Sequence, residues 1–242
     1  MGAPNLLLEL LVEELPPKAL RKLGEALAQS LLASLKAQGL TDTQSVVTAY
    51  ASPRRLAAHI TQVAPRAADR PVRQKLMPVS VGLDAQGQPT PALLKKLQAL
   101  GVTDAASAVS ALQRAPDGKA EALFYDSVAP GVDLASGLQK ALDEALAKLP
   151  IPKVMQYQLH NDCELPGWSS VNFVRPAHGL IALHGEQVVP VAALGLRAGR
   201  QTRGHRFEAQ CEVIEIADAD AERTARTAFA DDDANDRRRQ AG

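Results

Sequence analysis

Five leucines, Leu20, Leu23, Leu27, Leu31 and Leu35, step along the chain by three, four, four and four residues. That spacing returns to one side of a 3.6-residue helix, so it predicts an amphipathic helix whose leucine face must be buried against another element. Pro16-Pro17 open the helix, because a proline in the first turn gives up no hydrogen bond, and Gly39 stops it. Glu13 and Glu14, just ahead, read as carboxylates suited to the positive end of the helix dipole. The apolar run Leu6–Leu11, interrupted only by Glu9, reads as a buried strand.

Further along, Ser45–Tyr50 and Leu56–Val63 carry apolar and β-branched residues on either side of Ser52-Pro53-Arg54-Arg55, which predicts two strands joined by a basic corner. Pro65 to Pro91 is polar and broken by prolines, and reads as a long, partly irregular connection with a short strand at Val72–Met77. Leu93, Leu94, Leu97 and Leu100 mark a short helix, and Val109–Arg114 faces Ala120–Val128 across Pro116-Asp117-Gly118 as a hairpin. A second leucine face, Leu134, Leu138, Leu142, Ala145 and Leu149, predicts a helix stopped by Pro150 and Pro152. A polar loop, His160–Ser170, follows; strands are then expected at Leu180–Leu183, Val188–Ala193 and Cys211–Ile216.

Helices and strands mix here without a βαβ rhythm, and no Gly-x-Gly-x-x-Gly or Walker loop is present. The expected class is α+β, a mixed or antiparallel sheet packed with helices. Residues 1–216 are expected to form the domain, with position 150 as the place where two subdomains would divide. Residues 217–242, rich in Ala, Asp and Arg, read as a charged arm, helical or disordered.

With 27 basic and 27 acidic residues the chain has no global field to attract nucleic acid or an anionic membrane, so any polyanion site must be local. Aromatic residues are 3% of the chain, which argues against stacking successive bases on aromatic platforms but leaves backbone-directed RNA contact open. Cys163 and Cys211 fit neither a disulfide framework nor a Cys-x-x-Cys site and read as free thiols of a reduced compartment. The N-terminal apolar run lacks a basic leader, and no stretch reaches the ~18 apolar residues of a membrane span. A soluble, cytoplasmic protein with no membrane partner is expected.

The local exception to neutrality is Phe173–Phe207. Arg175, Arg197, Arg200, Arg203 and Arg206 face Glu186 alone, a balance of plus four with His178, His184 and His205 uncounted. A metal site would need those histidines together, but His178 and His184 on one strand would lie ~20 Å apart, and His205 sits between two arginines. Neither cysteine has a partner motif and there is no Gly-x-Ser-x-Gly elbow, so the residues offer no recognisable nucleophile. The arginine loop Arg197–Arg206 suits phosphate, with Gly199 and Gly204 allowing close backbone approach and the guanidinium forks supplying donors. Arg54 and Arg55 could touch phosphate as well, or simply pair with nearby acids. The bland alternative for the main stretch is that Arg175, His178 and His205 anchor loop ends while Phe173 and Phe207 fill the core. The two readings can coexist, because donors act best from a rigid loop.

Five blocks in order go beyond generic scaffold: Glu13-Glu14-Leu15-Pro16-Pro17-Lys18, Pro53-Arg54-Arg55-Leu56-Ala57, Leu149-Pro150-Ile151-Pro152-Lys153, Phe173-Val174-Arg175-Pro176-Ala177-His178 and Thr202-Arg203-Gly204-His205-Arg206-Phe207. Together they resemble the N-terminal part of the beta subunit of bacterial tetrameric glycyl-tRNA synthetase, from Leu6 to about Asp220. The resemblance implies a fold similar to the B3/B4-type module and an assembly with the alpha subunit and a second beta subunit that joins glycine to its tRNA. It places the active site, and the use of ATP with Mg, on the alpha subunit, so neither a catalytic residue nor a cofactor is expected on this chain. Tetrameric family members continue into an HD-like and an anticodon-binding domain, so a fragment or truncated product is expected. The family's usual Met-Arg-Trp is replaced here by Met155-Gln156-Tyr157. Within this frame the phosphate candidates are Arg197, Arg200, Arg203 and Arg206, with Arg175, Lys153, Arg54 and Arg55 secondary.

Overall fold

The computed structural model describes residues 2–84, 86–99, 112–117, 120–159, 164–203 and 213–220. In chain order the elements are β1 (Leu6–Val12), α1 (Pro17–Gln38), β2 (Val47–Ser52), β3 (Arg55–Ile60), β4 (Arg70–Pro78), α2 (Val79–Gly82), α3 (Pro91–Ala99), β5 (Gln113–Asp117), β6 (Ala120–Ala129) and α4 (Leu134–Lys148). They continue with β7 (Met155–Gln158), β8 (Ser170–Phe173), β9 (Ala177–His184), β10 (Gln187–Val188), β11 (Ala192–Ala193), β12 (Leu196–Arg197), β13 (Gln201–Arg203) and β14 (Val213–Glu215). The class is α+β, with every ladder between named strands antiparallel.

Two compact units divide the chain. The first comprises Met1–Ala67 with Val132–Gly242, the second Ala68–Gly131. Position 150 lies within the first.

The first unit is built on a five-stranded sheet ordered β10-β9-β1-β3-β2. β1 is central because its alternate leucines are wanted on both faces. Leu6, Leu8 and Leu10 join Leu56, Ala58 and Ile60 of β3 and Leu180 and Ala182 of β9 in the main core, while Leu7 joins Ile181, Leu183 and Ile216 on the other face. Helix α1 supplies the main-core partner: Leu23, Leu27, Leu31 and Leu35 are fully buried, and the helix packs on β2, β3 and α4. Gly39 closes α1 in the left-handed region (φ 78°), its N–H bonding to Leu35 and Lys36 carbonyls.

The reading of Glu13 and Glu14 as dipole partners does not hold. The first turn of α1 contains no acidic side chain, and Glu13 is turned instead toward His178 and Arg54. The prolines place α1's start four residues beyond Glu13, past the reach of a dipole effect that fades within one turn.

Helix α4 lays Leu134, Leu138, Ala141, Leu142 and Ala145 on the same core. Its cap is Asp133, which accepts from the Ser136 N–H at 2.9 Å and from the Ser136 hydroxyl at 2.8 Å. These bonds hold the Asp133 carboxyl below its ordinary value. A group depressed on folding contributes stability above its unfolded pKa and loses it as pH falls through the folded one. Protection of the Ser136 amide against hydrogen exchange should therefore hold near neutral pH and fall below the usual Asp range, about pH 3.9. In Asp133→Ala it should be low throughout.

In the second unit, within Pro65–Pro91, the short strand expected at Val72–Met77 is present and runs longer, and helix α2 follows it, so the connection is more regular than expected. Arg70–Pro78 is strand β4, in a three-stranded sheet ordered β4-β6-β5. Helices α2 and α3 cover one face, where Leu93, Leu97 and Leu123 form a small core. The full length of β4 escapes a local reading because its side chains are mostly exposed; it is held by ladder pairing to β6, which hydropathy does not record. On the open face the Arg73 guanidinium lies 4.8 Å from the Phe124 ring centroid.

Candidate functional site

Three of the sequence blocks interlock at one end of the central sheet. The Val12 N–H donates to the Arg54 carbonyl (2.9 Å), Glu13 N–H to Pro176 (2.9 Å) and Leu15 N–H to Pro53 (2.6 Å). Side chains reinforce the corner. Arg175 Nε donates to the Glu14 carbonyl at 2.9 Å, and His178 Nε2 donates to Glu13 Oε1 at 2.9 Å, with Arg54 Nη2 3.8 Å from the other oxygen. Residues 12–15, 53–54 and 175–178 thus form one junction, held because the antiparallel pairing of β1 with β3 and with β9 brings their ends together.

Beside the junction lies an open cleft of about 560 Å³, bordered by His178, Leu180, Val188, Leu196, Arg197 and Arg200. Its floor is held by the Gly199 N–H, which donates to the Leu180 carbonyl at 3.0 Å and bridges β9 in parallel. An added Cβ at Gly199 would meet nothing within 4 Å, so the backbone there stands open to a ligand. Arg197 is exposed; Arg200 is half-buried and gives one N–H to the Glu186 carbonyl at 2.8 Å. The described part of the expected loop, residues 197–203, takes in the end of β12 and all of β13.

The remaining candidates separate. Arg175 is committed to main-chain and thioether acceptors: the Glu14 carbonyl, the Val174 carbonyl at 3.1 Å and Met155 Sδ at 3.0 Å. Arg55 turns inward to Glu9 at 3.4 Å, while Arg54 stays at the surface and Lys153 is exposed on the segment before β7. Phe173 is buried at 1% exposure. The Arg203 side chain, His205, Arg206 and Phe207 lie outside the described residues, as do Cys163, Cys211 and the arm beyond residue 220. His184 is buried at the far end of β9 from His178, its Nε2 donating to the Val63 carbonyl at 2.7 Å. Among the described residues no three His, Cys, Asp or Glu side chains gather as a metal set. No helix among them is long and apolar enough to cross a membrane.

Two features escaped the sequence reading. Tyr157, in strand β7, accepts from the Ala177 N–H through its hydroxyl (3.3 Å); burial pushes its phenol up from the ordinary value, with that bond opposing. Glu9, read only as a break in an apolar run, is wholly buried and accepts from the Thr202 hydroxyl at 2.8 Å. The one available signal was an acid in the middle of a strand expected to be covered on both faces.

The fold and the junction define an α+β module that displays a cationic cleft beside its central sheet. Residues 6–240 match the family described as Glycyl-tRNA synthetase beta subunit, and the chain belongs to that family. Curated relatives include the Glycine--tRNA ligase beta subunits of Polaromonas naphthalenivorans, 68% identical over 223 residues, and of Paracidovorax citrulli, 67% identical over 221 residues. Each alignment takes in 91% of this chain and 31% of the relative, so the chain spans about a third of the length of the relatives it matches.

Proposed function

We propose that this chain serves as the N-terminal part of a glycine–tRNA ligase beta subunit, using the cleft at Arg197 and Arg200 to take up backbone phosphates of glycine tRNA. Aminoacylation, with its ATP and Mg, belongs on this reading to the alpha subunit, and this chain holds no cofactor of its own. Its partners are then the alpha subunit, a second beta subunit and the tRNA. The observation that carries the reading is the cleft itself, where Arg197, Arg200 and His178 border an open backbone at Gly199. Guanidinium forks and unobstructed main chain are what phosphate oxygens require, and a local cationic site on a neutral chain binds without general stickiness.

The test is a titration of labelled glycine tRNA against the chain and its Arg197→Ala/Arg200→Ala variant over a range of salt. We expect the variant to bind about tenfold more weakly, with a log–log salt slope shallower by about one for each phosphate that is no longer neutralised. Unchanged affinity and slope would remove the cleft from the RNA interface.

A second reading, assembly, draws on a different observation. The β7–β8 hairpin holds Trp168 at 85% exposure with Leu165 at 61%, and Val154 just before β7 at 55%, a set of side chains suited to a protein partner. Retention of the alpha subunit by a chain that ignores tRNA would favour assembly over RNA contact.

A further inference from the structure

We infer that Glu9 is the positioning residue of the phosphate-binding edge, a buried carboxylate that holds two cationic segments in fixed places on the central sheet. The inference rests on the reading of the Arg197–Arg200 cleft as the phosphate site.

Glu9 sits in the middle of β1, opposite Ala57 of β3 and Ile181 of β9, and is 0% exposed. Its side chain points to the face that also carries Leu7, Ile181, Leu183 and Ile216. On that face Oε1 accepts from Thr202 Oγ1 at 2.8 Å and lies 3.4 Å from Arg55 Nη1, whose side chain is 23% exposed. The two partners come from different places in the chain. Arg55 follows Arg54 at the β2–β3 corner, and Thr202 lies in β13, two residues beyond Arg200.

A buried ion pair rarely adds net stability over a well-packed apolar set, because desolvation offsets the attraction. The surroundings of Glu9 would accommodate such a set, since its face neighbours are leucine and isoleucine. What the carboxylate supplies is direction. A charge-assisted bond to a hydroxyl fixes the Thr202 side chain, and with it the path of β13 just after the cleft arginines. Arg200 is pinned from the other side as well, its carbonyl accepting from the Ile216 N–H at 2.9 Å. The segment from Gly199 to Thr202 is therefore tied to β9, to Ile216, to β14 through the β13 ladder, to the Glu186 carbonyl through Arg200, and to Glu9. Among these, the tie to Glu9 is a buried one made by side chains at both ends, so substitution can alter it without touching the cleft arginines.

Glu9→Gln keeps the shape and removes the charge; Thr202→Val removes the hydroxyl at nearly constant volume, and Thr202→Ser restores it. Each variant of the 242-residue chain is titrated with labelled glycine tRNA over a range of salt, beside the Arg197→Ala/Arg200→Ala variant. Glu9→Gln and Thr202→Val, folded by circular dichroism, should each bind about tenfold more weakly with a reduced salt slope, and Thr202→Ser should bind like the parent. The loss in the Glu9→Gln/Thr202→Val double variant should be smaller than the two single losses combined, because the substitutions share the Glu9–Thr202 bond. A purely stabilising role would lower the unfolding midpoint and leave affinity and slope of the folded chain unchanged. That result, with binding still impaired in the arginine variant, overturns the inference alone. If the arginine variant also binds normally, the cleft reading falls and the inference falls with it. Should Glu9→Gln fail to fold, the comparison of Thr202→Val with Thr202→Ser decides, equal affinity in the two being the adverse outcome.

Discussion

Phe173→Ala should lower the unfolding free energy by about 3–5 kcal/mol, seen in urea titration as a lower midpoint at nearly constant slope. Phe173 ends β8, paired with Met155 of β7, and its ring lies in the main core with Val12, Leu15, Val174 and Leu180. Truncation loses the transfer free energy of the ring and leaves a cavity the surroundings cannot close. The backbone on either side is fixed by strand pairing and by the junction bonds at Pro176 and Glu14. Phe173→Leu, which keeps much of the volume, should cost about 1 kcal/mol. A loss below about 1 kcal/mol in Phe173→Ala would mean that the junction holds without the ring beneath it.

Gly24→Leu should destabilise by about 3 kcal/mol or more, in spite of leucine's far better helix propensity. Gly24 is buried inside α1, and a Cβ built there would lie 2.8 Å from Ala51 Cβ, 3.6 Å from the Tyr50 carbonyl oxygen and 3.8 Å from Ala51 Cα. Those atoms move only with the backbone of β2, so the helix and sheet must separate. For Gly24→Ala two effects compete: the helix gains about 1 kcal/mol of propensity, and the overpacking costs about 1–3 kcal/mol. The net should be a loss of about 1 kcal/mol. Ala51→Gly removes the opposing atom, so in a double-mutant cycle it should restore Gly24→Ala to parent stability or better. An additive cycle would show that the close approach is not what selects glycine.

These substitutions separate roles that the sequence mixes in one stretch. Phe173 and Arg197 both belong to the positive segment, yet one is buried and the other exposed. Phe173→Ala should shift the unfolding midpoint and leave the salt slope of the folded protein alone. The arginine variant should do the reverse. Arg175 and Arg55 belong with the first kind, since their guanidinium groups are engaged by Glu14, Val174, Met155 and Glu9.

Legibility followed range. The leucine spacings placed α1 and α4 within a residue or two, because a helix is set by contacts three and four residues apart and by its caps. The central strand was visible as an apolar run with turn signals after it. β4 was legible only over Val72–Met77, because a mostly exposed strand has little periodicity to mark its ends. Glu13 was assigned to the nearest helix, the only partner a local reading could offer, whereas its partners His178 and Arg54 are 165 and 41 positions away.

By itself the sequence determined the α+β class, both long helices, the central strand and the presence of a positive segment on a neutral chain, all of which depend on local spacing and composition. Only the tertiary structure decided that β9 lies beside β1, so that Ala177 meets Val12 and His184 meets Leu6. It alone brought residues 12–15, 53–54 and 175–178 to one junction, turned Glu9 from a flaw in a leucine run into the acceptor for Thr202, and set Gly24 close against Ala51 of β2. The reason is that strand order and register are chosen by burying both faces of β1 at once, a condition on residues nearly the whole chain apart that no local pattern records.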